Sequence, residues 1–471
     1  MDFKHFLSGT KVELKDMLSA REARANRQEQ LLKAFPMTLI SFSLNIAGPI
    51  KVFPLARKTF DEGMELIRYQ CRAEGISLVN VEQIDKPTGL EAYLSADAPV
   101  QKVKRAMMSV EKHASLGRLF DIDVLDSCGN KLSRSELGEE ERRCLMCEKP
   151  AFVCSRSRAH SLEAVQRTIC ITMWNYFTHQ YAVKAAAATS KALLYEVFAT
   201  PKPGLVDKNN SGAHKDMDIA VFETSILTLA PYFQAFVTCG INLCGQPPTA
   251  ILPKLRDLGI QAEVDMLKAT GGVNTHRGII FSLGFILCAL GICYNREQLP
   301  SRGDLRNICQ KLAAPLANEF HLFPGQPAVS HGEELYARYG VKGARGEAIA
   351  GFPTLFDIAL PTFDRLLTLG ADLNDAGVIT LLHIICSAED TNLIYRSSLA
   401  HAKEIKEQLR SLLDRSLSIA ELVSSARALD KQFTAENISP GGSADLLALT
   451  YLIHFLEYDG FLSAPDSKNP V

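Results

Sequence analysis

Two aspartates spaced one residue apart stand in the run Phe120-Asp121-Ile122-Asp123-Val124, where polar and apolar side chains alternate. In an extended strand Asp121 and Asp123 share one face, and Phe120, Ile122 and Val124 take the other. Carboxylates paired on a face backed by apolar packing suit Mg²⁺ held against a phosphate, where the metal activates phosphorus and screens a departing pyrophosphate. The plainer reading is an edge strand whose acids face water. Further along, Cys144-x-x-Cys147 is followed by Cys154 and His160. Three thiols and an imidazole in so short a span could close a tetrahedral zinc shell; they could equally be reduced cysteines in a loop, with His160 taking part in chemistry instead. Arg142, Arg143, Arg156 and Arg158 lie among them and would lower thiol pKa values or meet phosphates. From Asn45 to Lys51 a strand runs into Gly48-Pro49. Its exposed amides and Lys51 could approach a phosphate, or the segment is a plain turn.

Five polar loops mark the second half: 201–218 (PKPGLVDKNNSGAHKDMD), 270–278 (TGGVNTHRG), 343–351 (GARGEAIAG), 390–396 (DTNLIYR) and 437–446 (NISPGGSADL). Each is expected to open or close a helix. Ser443 follows Pro-Gly-Gly, an amide-rich turn at a helix N-terminus and a natural seat for an anion. Asn274, Thr275, His276 and Arg277 add donors and a cation after Gly-Gly. Asp207, Asp216 and Asp218 offer hard carboxylates for Mg²⁺, while Lys202, Lys208, Arg277 and Arg345 suit a polyphosphate. One such loop is a connection as readily as a site. A helical core needs none of the five, and together they point to a nucleotide-polyphosphate site with a divalent metal.

The elements that must position these groups differ between the halves. Leu39–Asn45 predicts a strand, and Arg57–Glu74 a helix with Phe60, Met64, Ile67 and Cys71 on one face. Ile76–Ile84 and Leu90–Leu94 predict strands around the turn Lys86-Pro87-Thr88-Gly89; Val100–Ala114 predicts a helix and Leu119–Leu125 a last strand. The order is β-α-β-β-α-β, the ferredoxin-like arrangement of an α+β domain. Ahead of it, Thr10 and Glu13 suggest a capping box that opens a basic helix reaching about Lys33. Arg21, Arg24 and Arg27 on that helix would suit an acidic partner, or are simply solvated. Beyond Tyr181 strand signals fade. Val183–Phe198, Ile219–Phe236, Gly278–Tyr294 and Glu404–Leu413 read as helices, with a capping box at Ser418 and Glu421. The expectation is an N-terminal α+β domain over 1–180 and an all-α domain over 181–471, with a frayed tail after Ser463.

Composition narrows the function classes. With 51 basic and 53 acidic residues, a nucleic-acid or membrane-surface partner held by bulk charge is not expected. Met1 to Leu18 lacks the apolar stretch of a secretory signal, and twelve cysteines without one fit the reducing cytoplasm. Gly278–Tyr294 is the only uncharged run near the short limit for crossing a bilayer, and a helix buried on all sides explains it better.

The loop segments PKPGLVDKNNSGAHKDMD, TGGVNTHRG, GARGEA, DTN and SPGGSADLLALT together resemble the triphosphoribosyl-dephospho-coenzyme A synthase family, from about Ala185 onward. The first-half segments SFSLNIAGPIK, FDIDVL and CLMCEKPAFVCSRSRAHS are similar to the citrate lyase holo-acyl-carrier-protein synthase, a phosphoribosyl-dephospho-coenzyme A transferase, from about Ala20 to Tyr176. Some members of these families are fused in this order, and the chain resembles such a fusion from end to end.

The resemblance implies a bifunctional transferase. Its second half would join ATP and dephospho-coenzyme A with loss of adenine. Its first half would place the product on a serine of the citrate lyase acyl carrier (gamma) subunit with loss of diphosphate. On that basis Asp216 and Asp218 would hold Mg²⁺ with His214 as proton handler, and Glu347 or Asp390 is the alternative base. Lys202, Lys208, Arg277 and Arg345 would hold phosphates; Asn274, Thr275, His276, Asn392 and Ser443 would orient the nucleotide. In the first half Asp121 and Asp123 would hold Mg²⁺, Lys51 a phosphate, and Cys144, Cys147, Cys154 and His160 a structural zinc. Two other readings are the equivalent pathway for malonate decarboxylase and a carrier-binding protein without catalysis.

Overall fold

A computed structural model describes residues 3–113, 115–294, 298–321 and 331–464, so nearly all of the tail expected to fray lies outside the described residues. The chain divides into two compact units, Met1–Thr178 and His179–Val471.

The first unit runs α1 (Leu14–Ala34), β1 (Thr38–Leu44), α2 (Pro54–Ala73), β2 (Ser77–Lys86), β3 (Gly89–Asp97), α3 (Val100–Glu111), β4 (Phe120–Leu125) and α4 (Ala151–Ser157). A long helix, α5 (Leu162–Phe198), follows, and the division between units falls within it. The boundary expected between 180 and 181 therefore falls inside unbroken helix. The four strands form one antiparallel sheet in the order β2-β3-β1-β4. Pro54 sits in the first turn of α2, where its missing N–H costs nothing, and Leu55, Phe60, Met64, Ile67 and Cys71 recur at helical spacing on its buried face. Gly63 of α2 lies against the Phe42 ring of β1, and a Cβ there would collide with it. Phe42 stacks on Phe60 at 4.9 Å and meets Phe120 edge-on at 5.5 Å, fixing α2 against β1 and β4.

The opposite face of the sheet lies under α1 and is mixed: Leu39, Tyr93 and Leu125 pack with Leu31 of α1, and polar residues fill the rest. Register aligns Glu82, Tyr93, Ser41 and Asp123 in one row, and Ile84, Glu91, Ser43 and Asp121 in the next. From α1, Arg24 donates to Glu91, Arg27 to Glu82, and Gln28 Nε2 to Ser41 Oγ at 3.0 Å. Two expectations change here. Arg24 and Arg27 are tied into their own sheet, so the basic helix is not a free cationic face. The capping box also lies one turn later than expected: Glu13 is the N-cap and Asp16 its reciprocal partner, with the helix starting at Leu14. A carboxylate can accept the first amides as well as a hydroxyl can, and it also complements the helix dipole.

The second unit is mostly helical. After α5 come α6 (Ile219–Asn242), α7 (Pro248–Ala269), α8 (Arg277–Cys293), α9 (Arg302–Ala313), α10 (His331–Tyr339) and α11 (Gly343–Ile349). They are followed by α12 (Leu360–Thr368), α13 (Leu373–Ser387), α14 (Thr391–Arg396), α15 (Leu399–Leu413), α16 (Ile419–Ala435) and α17 (Gly441–Tyr458). The expected capping box of Ser418 and Glu421 opens α16. The uncharged run is α8, buried along almost its whole length and packed on α6, α7 and α9. It is not the only apolar candidate: α6 is longer and, by length and composition alone, could cross a bilayer. Gly240 of α6 and Gly291 of α8 each sit against the other helix's backbone, so the two axes approach closely.

Candidate functional site

In the first unit the alternation in β4 is as its sequence suggests. Phe120, Ile122 and Val124 are buried, and Asp121 and Asp123 are half-buried on the face under α1. Asp123 pairs with Lys131 Nζ at 2.5 Å. Asp121 makes no hydrogen bond or ion pair with a described side chain. Burial and the neighbouring Asp123 push its carboxyl above the usual range, while Arg142, Lys131 and Arg24 pull it down. This is a carboxylate pair ringed by cations, a donor set that fits a divalent ion bridging to a phosphate. Lys51 is placed differently from the phosphate role expected of it: its Nζ donates to Ile46 O at 2.6 Å, and it therefore braces its own turn.

Cys144, Cys147, Cys154 and His160 converge, with all four candidate ligand atoms within 4.8 Å of one another. Cys147 Sγ lies 3.4 Å from Cys154 Sγ and 3.5 Å from His160 Nε2. Those separations match the edges of a tetrahedron with metal–sulfur bonds of about 2.3 Å. Burial pushes Cys144 up, but the amides of Met146 and Cys147 and the adjoining thiols outweigh it and bring that thiol down to about 7. The same segment supplies Arg142, whose Nη2 donates to Phe120 O at 2.7 Å. Arg118 in turn donates to the carbonyl of Cys144. The Cys/His loop is thus laced to the start of β4, beside Asp121.

In the second unit the five loops, far apart in sequence, come together at helix ends. Asp390 caps α14 by accepting from the amides of Asn392 (2.9 Å) and Leu393 (3.0 Å), and it also accepts from Ser443 N (2.7 Å) and Ser443 Oγ (2.8 Å). Two carboxylate oxygens offer about four lone-pair sites, and all are taken. Asp390 is therefore a brace between α14 and α17, not a base with a lone pair to spare. Ser443 is fully buried against it. A Cβ on Gly441 would stand 2.6 Å from Asn392 Nδ2, and one on Gly343 would stand 2.8 Å from Thr391 Cγ2, so glycines let these loops pack.

The loop 201–218 joins the same region. His214 Nε2 lies 2.8 Å from Ser439 Oγ, and Arg396 Nη2 is 3.3 Å from His214 Nδ1. Burial and that guanidinium lower the imidazole pKa; because a guanidinium only donates, Nδ1 accepts from Arg396 and Nε2–H donates to Ser439 Oγ. Asp216 is exposed, its carboxylate 3.9 Å from His214 Nδ1, and Asp218 caps α6 through the Val221 amide. Among the described residues neither belongs to a cluster of three or more metal-binding side chains; that of the cysteines stands alone. Asp207 is spent on its own turn, accepting from the amides of Lys202, Asn209 and Asn210. Lys202 is buried in an ion pair with Glu196, a residue that the sequence does not single out. Lys208 stands over the Phe198 ring at 5.5 Å.

Around the start of α8, Asn274 Oδ1 accepts from Arg277 N at 3.2 Å, and Arg277 pairs with Glu263 at 2.8 Å. Thr275 Oγ1 donates to Ser225 Oγ at 2.8 Å. His276 is 3% exposed; its Nδ1 lies 2.6 Å from Ser225 Oγ, and its Nε2 has no partner among the described residues. Half-buried Arg345 lies on α11. Glu347 accepts from Thr354 N (3.2 Å) and Oγ1 (2.5 Å), and burial raises its carboxyl pKa. It lines a 560 Å³ cavity with Lys342, Gly346, Thr354 and Glu389. A π-helical turn, Thr354–Ala359, adjoins this cavity, and such turns recur at functional sites. Sequence reasoning missed Glu196, Ser225, Arg396, Ser439 and Asp445. Arg396, Ser439 and Asp445 lie inside the quoted loops, whereas Glu196 is a lone acid in an apolar helix and gave no signal.

The family described as ATP:dephospho-CoA triphosphoribosyl transferase matches residues 182–461, and that described as apo-citrate lyase phosphoribosyl-dephospho-CoA transferase matches residues 12–176. The chain is 34% identical to Protein CitXG of Haemophilus influenzae over 463 residues, covering 96% of this chain and 97% of that protein. It is 33% identical to Protein CitXG of Leuconostoc mesenteroides subsp. cremoris, covering 95% and 98%. Its second half is 40% identical to a 2-(5''-triphosphoribosyl)-3'-dephosphocoenzyme-A synthase of Escherichia fergusonii, over 59% of this chain and 92% of that protein. With both family regions present in order and relatives aligned along almost their full length, the chain belongs to the family that fuses an apo-citrate lyase phosphoribosyl-dephospho-CoA transferase to an ATP:dephospho-CoA triphosphoribosyl transferase.

Proposed function

We propose that the second unit makes the triphosphoribosyl-dephospho-CoA precursor from ATP and dephospho-CoA with release of adenine. The first unit then transfers phosphoribosyl-dephospho-CoA to a serine of the citrate lyase acyl carrier subunit with release of diphosphate. The observation that carries this reading is the meeting of five polar loops at helix ends within the region matched by the synthase family. In the first step the ribose 2′-hydroxyl of dephospho-CoA bonds to the ribose C1 of ATP as the C1–N9 bond breaks. We assign the hydroxyl proton to His214 Nδ1, which the incoming ribose reaches by taking the place of the Arg396 contact there, while Ser439 holds the ring through Nε2. Arg345 and Arg277 are the cations we assign to the triphosphate. Lys202, being locked to Glu196, keeps that wall in place instead. Asp390 and Ser443 fix the loop ends, and Asp216 and Asp218 remain the acids assigned to Mg²⁺.

In the first unit Asp121 and Asp123 would hold Mg²⁺, which supplies charge for the departing diphosphate. Arg142, bonded to the Phe120 carbonyl, and Arg24, paired with Glu91, frame the same edge and hold it in place. Cys144, Cys147, Cys154 and His160 would hold a structural zinc that fixes the Arg142 loop. The βαββαβ order and the strand order β2-β3-β1-β4 support a ferredoxin-like reading of this unit. A cytoplasmic setting is the one this reading calls for.

The test is direct. Purified full-length protein with ATP, dephospho-CoA and Mg²⁺ should release adenine and yield a coenzyme heavier by a triphosphoribosyl group. Adding apo acyl carrier subunit should then give carrier heavier by phosphoribosyl-dephospho-CoA. Folded protein that releases no adenine would refute the first step. Modification of a malonate decarboxylase carrier in preference to the citrate lyase carrier would redirect the second.

A further inference from the structure

Asp445 stands in the second turn of α17, two residues past Ser443, and is half-buried. Its Oδ2 faces the Cα of Gly278 at the start of α8, and a Cβ at that position would collide with it. Residue 278 must therefore lack a side chain if the Asp445 carboxyl is to occupy this place. Two other acids act on it: Glu196 from α5 and Asp390 from the cap of α14. Both are committed, Glu196 to Lys202 and Asp390 to four donors. Asp445 makes no hydrogen bond or ion pair with a described side chain. A few residues away, at the same end of α8, buried His276 Nε2 is likewise without a partner. An unpaired buried polar group costs about 1–3 kcal/mol, so His276 Nε2, with a half-buried, unpaired carboxyl at the same helix end, marks a place where a ligand completes the bonding. A carboxyl beside two committed acids, partly withdrawn from water, favours its protonated form, and burial together with Glu196 and Asp390 raises its pKa.

Resting on the proposed adenine-releasing step, we infer that Asp445 is a further catalytic residue of the second unit, the acid that protonates the departing adenine. The new bond is from the 2′-hydroxyl oxygen to C1, and the bond broken is C1–N9, whose electron pair leaves with the purine. The Asp445 proton passes to a purine ring nitrogen. The hydroxyl proton, first taken by His214, returns to Asp445 through water before the next turnover, so protons balance.

The experiment uses the full chain and the variant Asp445→Asn, which keeps size and polarity but carries no acidic proton. Adenine release from ATP should fall 10²–10⁴-fold, the range for one positioned acid, with KM for both substrates within a few-fold. The alkaline limb of the kcat/KM profile should vanish. With 7-methyl-ATP, whose purine already carries a positive charge and needs no proton to leave, the variant should work within a few-fold of the parent. The parent itself should lose its alkaline limb on that analogue, a measurement independent of how any variant folds. The urea-unfolding midpoint of the second unit should match the parent's in the variant, marking that unit as folded. Equal adenine release by parent and variant would overturn the inference, as would an Asp445→Asn defect reversed by excess Mg²⁺ and not by the analogue. A parent that releases no adenine would refute the proposed function instead, so the two failures are distinguishable.

Discussion

In the first unit the chemistry-bearing carboxylates Asp121 and Asp123 project from one strand, with neighbours two positions apart and a Cys/His loop that follows soon after in sequence. In the second unit the polar groups come from loops spread from residue 201 to residue 446, and each loop is pinned by another: Asp390 by Ser443, His214 by Ser439, Gly278 by Asp445. A strand delivers two ligands to one face by its period alone. A helical unit has no such surface, so it builds a polar site where helix ends meet, using caps and glycines as joints. The first kind of site tolerates local change and is sensitive to its own residues. The second is sensitive to its braces.

The sharpest way to break this contrast is Asp121→Asn. Transfer to the carrier should fall by about 10²–10³-fold, the scale of losing one preorganised charge at a phosphoryl centre, while adenine release stays at the parental rate. Mass spectrometry of the carrier and chromatography of adenine read the two together; a parallel loss of both would show that the sites are not separable. The converse test is Asp390→Ala, which removes an N-cap and leaves the Ser443 amide without its acceptor. It should cost about 2–4 kcal/mol in urea unfolding of the second unit, with carrier transfer from supplied intermediate preserved.

A pH experiment sharpens the same point. Burial pushes the His276 imidazole from the ordinary 6.5 down to about 3. The unfolded chain then binds the extra proton between those values, so the stability is complete above pH 6.5 and is lost as pH falls toward 3. Between pH 6.5 and 5 this amounts to about 2 kcal/mol, visible as a falling melting temperature of the second unit that His276→Gln should flatten. Zinc is tested in the first unit. Metal analysis should find about one equivalent in the parent and less than about a tenth in Cys147→Ser, with carrier transfer impaired and adenine release intact. The smallest effect is expected from Arg24→Ala, about 1 kcal/mol of stability for a partly exposed pair with Glu91, with the carrier KM within about twofold. A larger rise in KM would restore the basic helix as the carrier's contact.

Much of this was legible in the residues. Alternation in 120–124 put both aspartates on one face, Cys144-x-x-Cys147 with Cys154 and His160 announced a ligand set, and Pro and Gly marked the loops that now meet. What the residues could not announce is which polar groups are already spent. Lys202 in a Gly-rich loop reads as a phosphate cation until Glu196, in an apolar helix, is found buried against it. Asp390 reads as a base until Ser443 fills its remaining lone pairs. Arg24 and Arg27 read as a free basic face until the pleat of β2 and β3 turns Glu82 and Glu91 toward them.

The sequence by itself determined the local periods, the glycines and caps that end helices, and the two family regions, because these depend on neighbours a few residues apart. Only the tertiary structure decided which charged groups compensate one another and which, like Asp445 and His276 Nε2, are left without a partner among the described residues. Pairing and desolvation are set by distance in space, and residues that meet at the second unit's site, such as His214 and Ser439, stand 225 positions apart in the chain, a distance over which local pattern carries no information.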